Sequence, residues 1–246
     1  MKRQYPILLD RNLLPRGGAL AFAPHPDDEV IGCGGALTIH RDRGERVRVV
    51  FLTDGALGDK EGKVEGDLIA IRERESSAAL SVLGIEESEH WHHPDGGLTE
   101  SSGVEDQVRE LVKRWQPEVV YFPSIFEIHP DHVAAGRRVA RGLQQAGFAG
   151  WAMMYEVGNQ HLATHLLDIT PEQPRKREAL SQYASQMSYH DLIDKTQALN
   201  RFRSVNLPFP EMTHIEAFLR MPVTEYDELE KRVDSLFELV ERHYVV

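Results

Sequence analysis

At the usual ~150 residues per domain, a chain of 246 residues has room for one large domain or two small ones, and for a sizeable core. With 41% hydrophobic and 27% charged residues it reads as a folded soluble protein, not a disordered one. Lys and Arg number 28 against 39 Asp and Glu, a formal charge of −11 that argues against a nucleic-acid or anionic-membrane partner, and the densest basic run, Arg41 to Arg48, is broken by Asp42 and Glu45. Cys33 is the only cysteine, which excludes an internal disulfide and any cysteine-rich zinc module. The apolar stretch after Lys2 and Arg3 stops at Asp10, too short for a signal sequence or a membrane span, so the expected location is the cytoplasm.

In chain order, short apolar runs alternate with longer periodic segments. Gly18 to Ala23 reads as a buried strand, Val47 to Leu52 as a second, and Val119 to Phe122, behind Pro117, as a later one. Leu68 to Leu83 and Val104 to Trp115 have helical spacing, the former closed by Gly84 as a C-cap. This alternation predicts a Rossmann-like α/β fold, a three-layer αβα sandwich with a mostly parallel sheet covered on both faces. Further on come apolar runs at Ala152 to Val157 and Leu166 to Ile169, helical segments after Pro174 and near Leu192, and a strand at Ile215 to Leu219. A final helix carries the stripe Tyr226, Leu229, Val233, Leu236, Phe237 and Val240, with Thr224 and Asp227 spaced as a capping box. Nothing demands a second domain, and 1–246 is read as one, with its motifs in about 18–136 and a more variable part at 151–246.

Directly after the first of these strands stands His25-Pro26-Asp27-Asp28-Glu29, an imidazole and three carboxylates in five residues. Helix capping accounts for acids at such a place but not for a histidine bracketed by prolines. A second cluster, His129-Pro130-Asp131-His132, follows the Val119 strand and opens another helix. In each cluster two ligand-type residues lie three apart, His25 with Asp28 and His129 with His132, which turns both toward one side of a first helical turn. A doubly wound sheet binds its ligand where strand order reverses, between its first and fourth strands, so the topology brings both clusters to one crevice. One carboxylate and two or three imidazoles without a thiolate suit zinc with an open fourth position, or ferrous iron. A carboxylate not used as ligand would serve as general base.

Ala23 to Glu29 followed by Gly32 and Gly34-Gly35, together with His129-Pro130-Asp131-His132, resembles the two motifs of the LmbE/PIG-L family of zinc-dependent N-acetylglucosaminyl deacetylases. Further echoes are Thr53-Asp54-Gly55, Arg72 with Glu75, Asp95-Gly96, Ser185-Gln186 and Glu216-Ala217-Phe218; Tyr183 stands where the family often has histidine. The resemblance implies one zinc per chain held by His25, Asp28 and His132, with Asp27 as general base. It also implies a cationic His129 facing the oxyanion, with Asp131 setting that residue's orientation and protonation. Arg72 and Asp95 are candidates for substrate binding, the substrate being a small N-acetylated sugar or glycoconjugate; a homo-oligomer is compatible with all of this. Two rivals are a metal-stabilised binding module without catalysis and a ferrous-iron enzyme.

The remaining motifs have plainer readings. Glu89 to His93, with His90, His92 and His93, is expected to be a strand end and not a metal site. Gly32-Cys33-Gly34-Gly35 lacks the dinucleotide-binding spacing and follows three acids, so its glycines are expected to permit close helix-to-sheet packing, with Cys33 in the core.

Overall fold

The computed structural model describes residues 6–9, 11–59, 61–187 and 191–244. Its spine is an eight-stranded sheet in the order β1 (Ile7–Leu9), β7 (His165–Asp168), β8 (Ile215–Arg220), β6 (Trp151–Tyr155), β5 (Val119–Pro123), β2 (Ala19–Ala23), β3 (Val47–Thr53), β4 (Glu87–His93). β8 runs antiparallel to both its neighbours and all other pairings are parallel. Side chains alternate along each strand, and the core divides accordingly. Ala19, Ala21 and Ala23 of β2 pack with α1 (Asp28–Asp42), α2 (Leu68–Val82) and α5 (Gln173–Leu180) on one face. Leu20 and Phe22 pack with α3 (Val104–Trp115) and α4 (Pro130–Ala146) on the other. The expected three layers are present. Among the described residues no helix is long and apolar enough to cross a membrane.

From β2 the chain moves outward through β3 to β4, then returns to place β5 on the opposite side of β2. The crevice between the carboxyl ends of β2 and β5 is therefore the switch point. β2 feeds α1 and β5 feeds α4, so both motif clusters open helices at this crevice.

α1 is two helical pieces joined at a kink, because Cys33 has φ −142° and ψ 15°. The second piece begins with donors in need of acceptors. The Glu216 carboxylate supplies them, accepting the Gly35 N–H at 2.7 Å and the Ala36 N–H at 2.9 Å, while the buried Lys176 ammonium binds Glu216 at 2.7 Å and the Ile31 carbonyl at 2.8 Å. The glycines here permit close approach, as expected: a Cβ on Gly32 would lie 2.1 Å from the Tyr155 ring, and one on Gly35 would lie 2.5 Å from Ile169.

Two local expectations change. β1 was not anticipated; three residues at the sheet edge carry almost no periodic signal. The Glu89 stretch, by contrast, is a strand end as expected: it closes the edge strand β4, with Glu73 of α2 3.6 Å from His92. Thr224 does not cap the last helix: it lies inside a 3₁₀ turn, Val223–Glu225, ahead of α8 (Tyr226–Tyr244), and Asp227 accepts a hydrogen bond from Gln144 at 3.1 Å. The apolar stripe of α8 is buried only at its start. Tyr226 and Val233 join the core, whereas Leu236, Phe237 and Val240 are exposed.

Removing Glu216 strips two amides of their acceptor and leaves Lys176 as a buried, uncompensated cation. Glu216→Ala is expected to lose about 3–5 kcal/mol of stability in urea unfolding, the range for breaking a buried pair. A loss below about 1 kcal/mol would show that the kink needs no cap.

Candidate metal centre

Asp27 occupies the N-cap position of α1 with φ 124° and makes no side-chain capping bond. The capping explanation for this acid therefore fails. The conformation is one that L-residues rarely adopt, of order 1–3 kcal/mol in cost, and it persists here because neighbours hold it. The Glu29 carboxylate accepts the Asp27 N–H at 3.1 Å, and the Tyr183 hydroxyl donates to the same carboxylate from across the fold. Asp28 turns inward, accepting the backbone N–H of His25 at 3.0 Å.

Three donor atoms close a triangle. His25 Nδ1 and Asp28 Oδ2 are 3.2 Å apart, His25 Nδ1 and His132 Nε2 are 3.3 Å apart, and His132 Nε2 and Asp28 Oδ2 are 3.3 Å apart. Two imidazole nitrogens and one carboxylate oxygen bound tetrahedrally at zinc distances would be separated by about 3.3 Å. The donor set thus fits that ion without rearrangement. His129 also brings a nitrogen within 4.8 Å of donors on His25 and His132, but it is exposed and its ring centroid is 4.9 Å from each of theirs.

The far side of His25 faces carboxylates. Its Nε2 is 3.2 Å from Asp95 Oδ1 and 3.3 Å from Asp131 Oδ2, another grouping of ligand-type atoms. Asp131 also accepts the Gly96 N–H at 2.7 Å and the Leu98 N–H at 3.0 Å, and Asp95 accepts the Leu57 N–H at 2.9 Å. Such outer carboxylates fix a ligand imidazole's tautomer and direction.

These placements give three of the expected residues partners within the fold. Asp131 does not orient His129 through its carboxylate, which is engaged with His25; instead its backbone N–H donates to His129 Nδ1 at 3.2 Å, making His129 the N-cap of α4. With Nδ1 accepting, the His129 ring is neutral. Burial, then the neighbouring His25 and His132, hold its pKa below the usual value. Arg72 is buried, and its guanidinium donates to the Gly55 carbonyl at 3.0 Å and the Pro26 carbonyl at 2.7 Å, with Asp27 at 3.6 Å. Asp95 is committed to His25 and to the Leu57 amide. Glu75, on the same helix, accepts the Ser185 N–H at 2.7 Å and the Ser185 hydroxyl at 2.6 Å.

The electrostatics of the cluster favour positive charge. Burial disfavours a cationic His25, yet hydrogen bonds to Asp131, Asp28 and Asp95 raise its pKa. Burial likewise opposes a cationic His132, but Asp28 and Glu127 push it up to about 9. Asp28 is held far below the usual carboxylate range, against its own desolvation, by His132 and His25. Asp95 falls to about 2 despite burial, chiefly through its bond to His25. A site whose carboxylates draw positive charge into the interior is one in which a divalent cation can take the place of protons. Asp27 behaves oppositely: burial raises it to about 7, with Arg72 opposing and Asp28 reinforcing the shift.

Sequence reasoning missed Glu127, Glu29 with Tyr183, and Glu216 with Lys176. Glu127 is an acid inside Ile125-Phe126-Glu127-Ile128, an apolar setting that rarely buries an unpaired carboxylate, and that was its available signal. A cleft of about 550 Å³ bounded by Phe202, Val205, Phe209 and Met212 shares no residue with this centre, so donor chemistry and not volume locates it.

Residues 20–142 match the family described as PIG-L, GlcNAc-PI de-N-acetylase. The chain is 32% identical over 135 residues to the diacetylchitobiose deacetylase of Thermococcus kodakarensis, covering 53% of this chain and 49% of that one, about half its length. It is 31% identical over 187 residues to a Bacillus anthracis protein named "Probable N-acetyl-alpha-D-glucosaminyl L-malate deacetylase 2", covering 69% and 81%. Among solved structures it resembles N,N'-diacetylchitobiose deacetylase from Pyrococcus horikoshii, with TM-score 0.74, 25% identity and 85% of each chain covered.

The Asp27 carboxyl is expected to titrate near pH 7 in the metal-free protein, followed by ¹³C NMR. Arg72 favours its ionised form, so Arg72→Met should move the midpoint higher, with Arg72→Lys lying closer to wild type. A midpoint that stays put or falls in Arg72→Met would separate the two residues electrostatically.

Proposed function

The chain belongs to the PIG-L family, and from that membership and the donor triangle at the switch point we propose a zinc-dependent N-deacetylase. Its substrate is an N-acetylated amino sugar or a conjugate carrying one, and its products are acetate and a free amine. The observation that carries the reading is the triangle of His25, Asp28 and His132 with a separate acid, Asp27, beside it. A structural zinc site fills its four positions with protein ligands; three ligands and a spare carboxylate suit hydrolysis. The relatives' names support the sugar class, and they differ in what the amino sugar is attached to. The residues 1–246 are taken to act as one unit in the cytoplasm.

In this proposal His25, Asp28 and His132 hold the ion. Bound there, zinc would supply Lewis acidity to the amide carbonyl and to the attacking water. Asp27 takes the proton from that water as the C–O bond forms, and returns it to the amine nitrogen as the C–N bond breaks. In the metal-free protein burial raises its carboxyl to about 7 against the pull of Arg72. His129, neutral and bonded through Nδ1, keeps its proton on Nε2 and donates from there to the developing oxyanion. Asp131 and Asp95 hold the His25 ring, and Arg72 holds the Pro26 and Gly55 carbonyls on either side of Asp27.

Untagged protein should contain one zinc per chain by elemental analysis, and His132→Ala should lose it. Acetate release is to be measured on N,N'-diacetylchitobiose, N-acetylglucosaminyl malate and N-acetylglucosaminyl inositol, with metal-free, zinc-restored and ferrous-loaded protein. Activity with iron and none with zinc would replace the metal; no acetate from any N-acetylated compound would leave the binding module. Asp27→Asn should keep zinc and lose activity by about 100-fold or more. His129→Ala should keep zinc and lose about 10²–10³ in kcat, the range for one oxyanion donor.

A further inference from the structure

Glu127 is buried four residues beyond the end of β5, yet no cation lies against it as a salt-bridge partner except the imidazole of His132 among the described residues. Its charge is met by backbone amides. Oε1 accepts the Val157 N–H at 2.7 Å, and Oε2 accepts the Gly158 N–H at 2.9 Å and the Asn159 N–H at 3.2 Å. The same Oε2 lies 3.6 Å from His132 Nδ1, a buried nitrogen that makes no hydrogen bond among the described residues. The two nitrogens of His132 therefore face different neighbours: Nε2 belongs to the donor triangle, and Nδ1 faces Glu127.

We propose that Glu127 is a positioning residue that aims His132 at the metal and fastens the Val157–Asn159 loop to that ligand. The proposal rests on the zinc reading above. When Nε2 gives its lone pair to an ion, the ring proton resides on Nδ1, and the carboxylate is the acceptor set beside it. The loop in turn fixes the carboxylate. It is tied twice more, by the Asn159 side chain donating to the Phe126 carbonyl at 2.6 Å and by Glu156, which accepts the His161 N–H at 2.8 Å and pairs with Arg203. Because the loop follows β6, the neighbour of β5, a shift of its amides would move a carboxylate that faces a metal ligand.

A plain loop anchor is the competing role, and it would leave zinc affinity alone. The test uses the full chain as wild type, Glu127→Gln, Glu127→Ala and His132→Ala. Zinc dissociation constants come from chelator competition, loop order from hydrogen exchange at residues 157–159, and the His132 tautomer from ¹⁵N NMR of the zinc-loaded protein. Glu127→Gln retains an acceptor oxygen but loses the charge, so zinc is expected to bind about 10-fold or more weakly; Glu127→Ala should approach 100-fold and also lose loop protection. A zinc constant in Glu127→Gln within about twofold of wild type overturns the proposal, whatever the loop does. The Gln variant decides if Ala does not fold. Equal zinc binding by wild type and His132→Ala overturns the zinc reading itself, and is recognised separately because no Glu127 variant enters that comparison.

Discussion

An ionised carboxylate withdrawn from water must be matched by charge or by hydrogen bonds, and Asp28 sits in the interior with both. It lies between His25 and His132 and also takes the His25 amide N–H, so its negative charge organises two imidazoles, one from the loop ahead of α1 and one from α4. The pairing of α1 with α4 at the switch point follows, since these helix starts share one buried anion. The other acids are arranged around the same need. Asp95 and Asp131 stand behind His25, and Glu127 stands beside His132, each anchored by loop amides so that it can face an imidazole without wandering.

Against this anionic background Asp27 is distinct. It shares the acidic surroundings and feels His25 and His132 only as nearby charges, and desolvation dominates its behaviour. Two adjacent aspartates are thereby driven in opposite directions by environments one residue apart, which is how neighbouring carboxyls come to hold different protonation states at one pH.

Much of this was legible in the residues. Strands and helices of the parallel part follow from periodicity, and the two His-Asp clusters follow from type and spacing, because ligand chemistry requires particular side chains at particular turns. Partners contributed over long separations were not legible. Tyr183 reaches Glu29, Lys176 and Glu216 reach α1, and Glu127 reaches the 157–159 amides, all contacts created only when the sheet is assembled. Arg72 and Asp95 were visible as polar residues near a motif. Whether they faced outward depended on carbonyls and amides of other loops, which carry no side-chain signature. The reversal of β8 was equally silent, since a strand of Ile215–Arg220 reads the same in either direction.

The break in α1 at Cys33 has a mechanical consequence. A continuous helix transmits a displacement of its first turn along its whole length, through an unbroken ladder of hydrogen bonds. Here the turn bearing Asp28 ends at Cys33, and beyond it the helix restarts on the Glu216 carboxylate, which Lys176 bridges to the Ile31 carbonyl of the first piece. The break lets the turn that presents Asp28 take its own direction into the crevice while the packed remainder keeps its register against the sheet. The kink thus divides one helix into a part that serves the site and a part that serves the core, with one buried ion pair joining them.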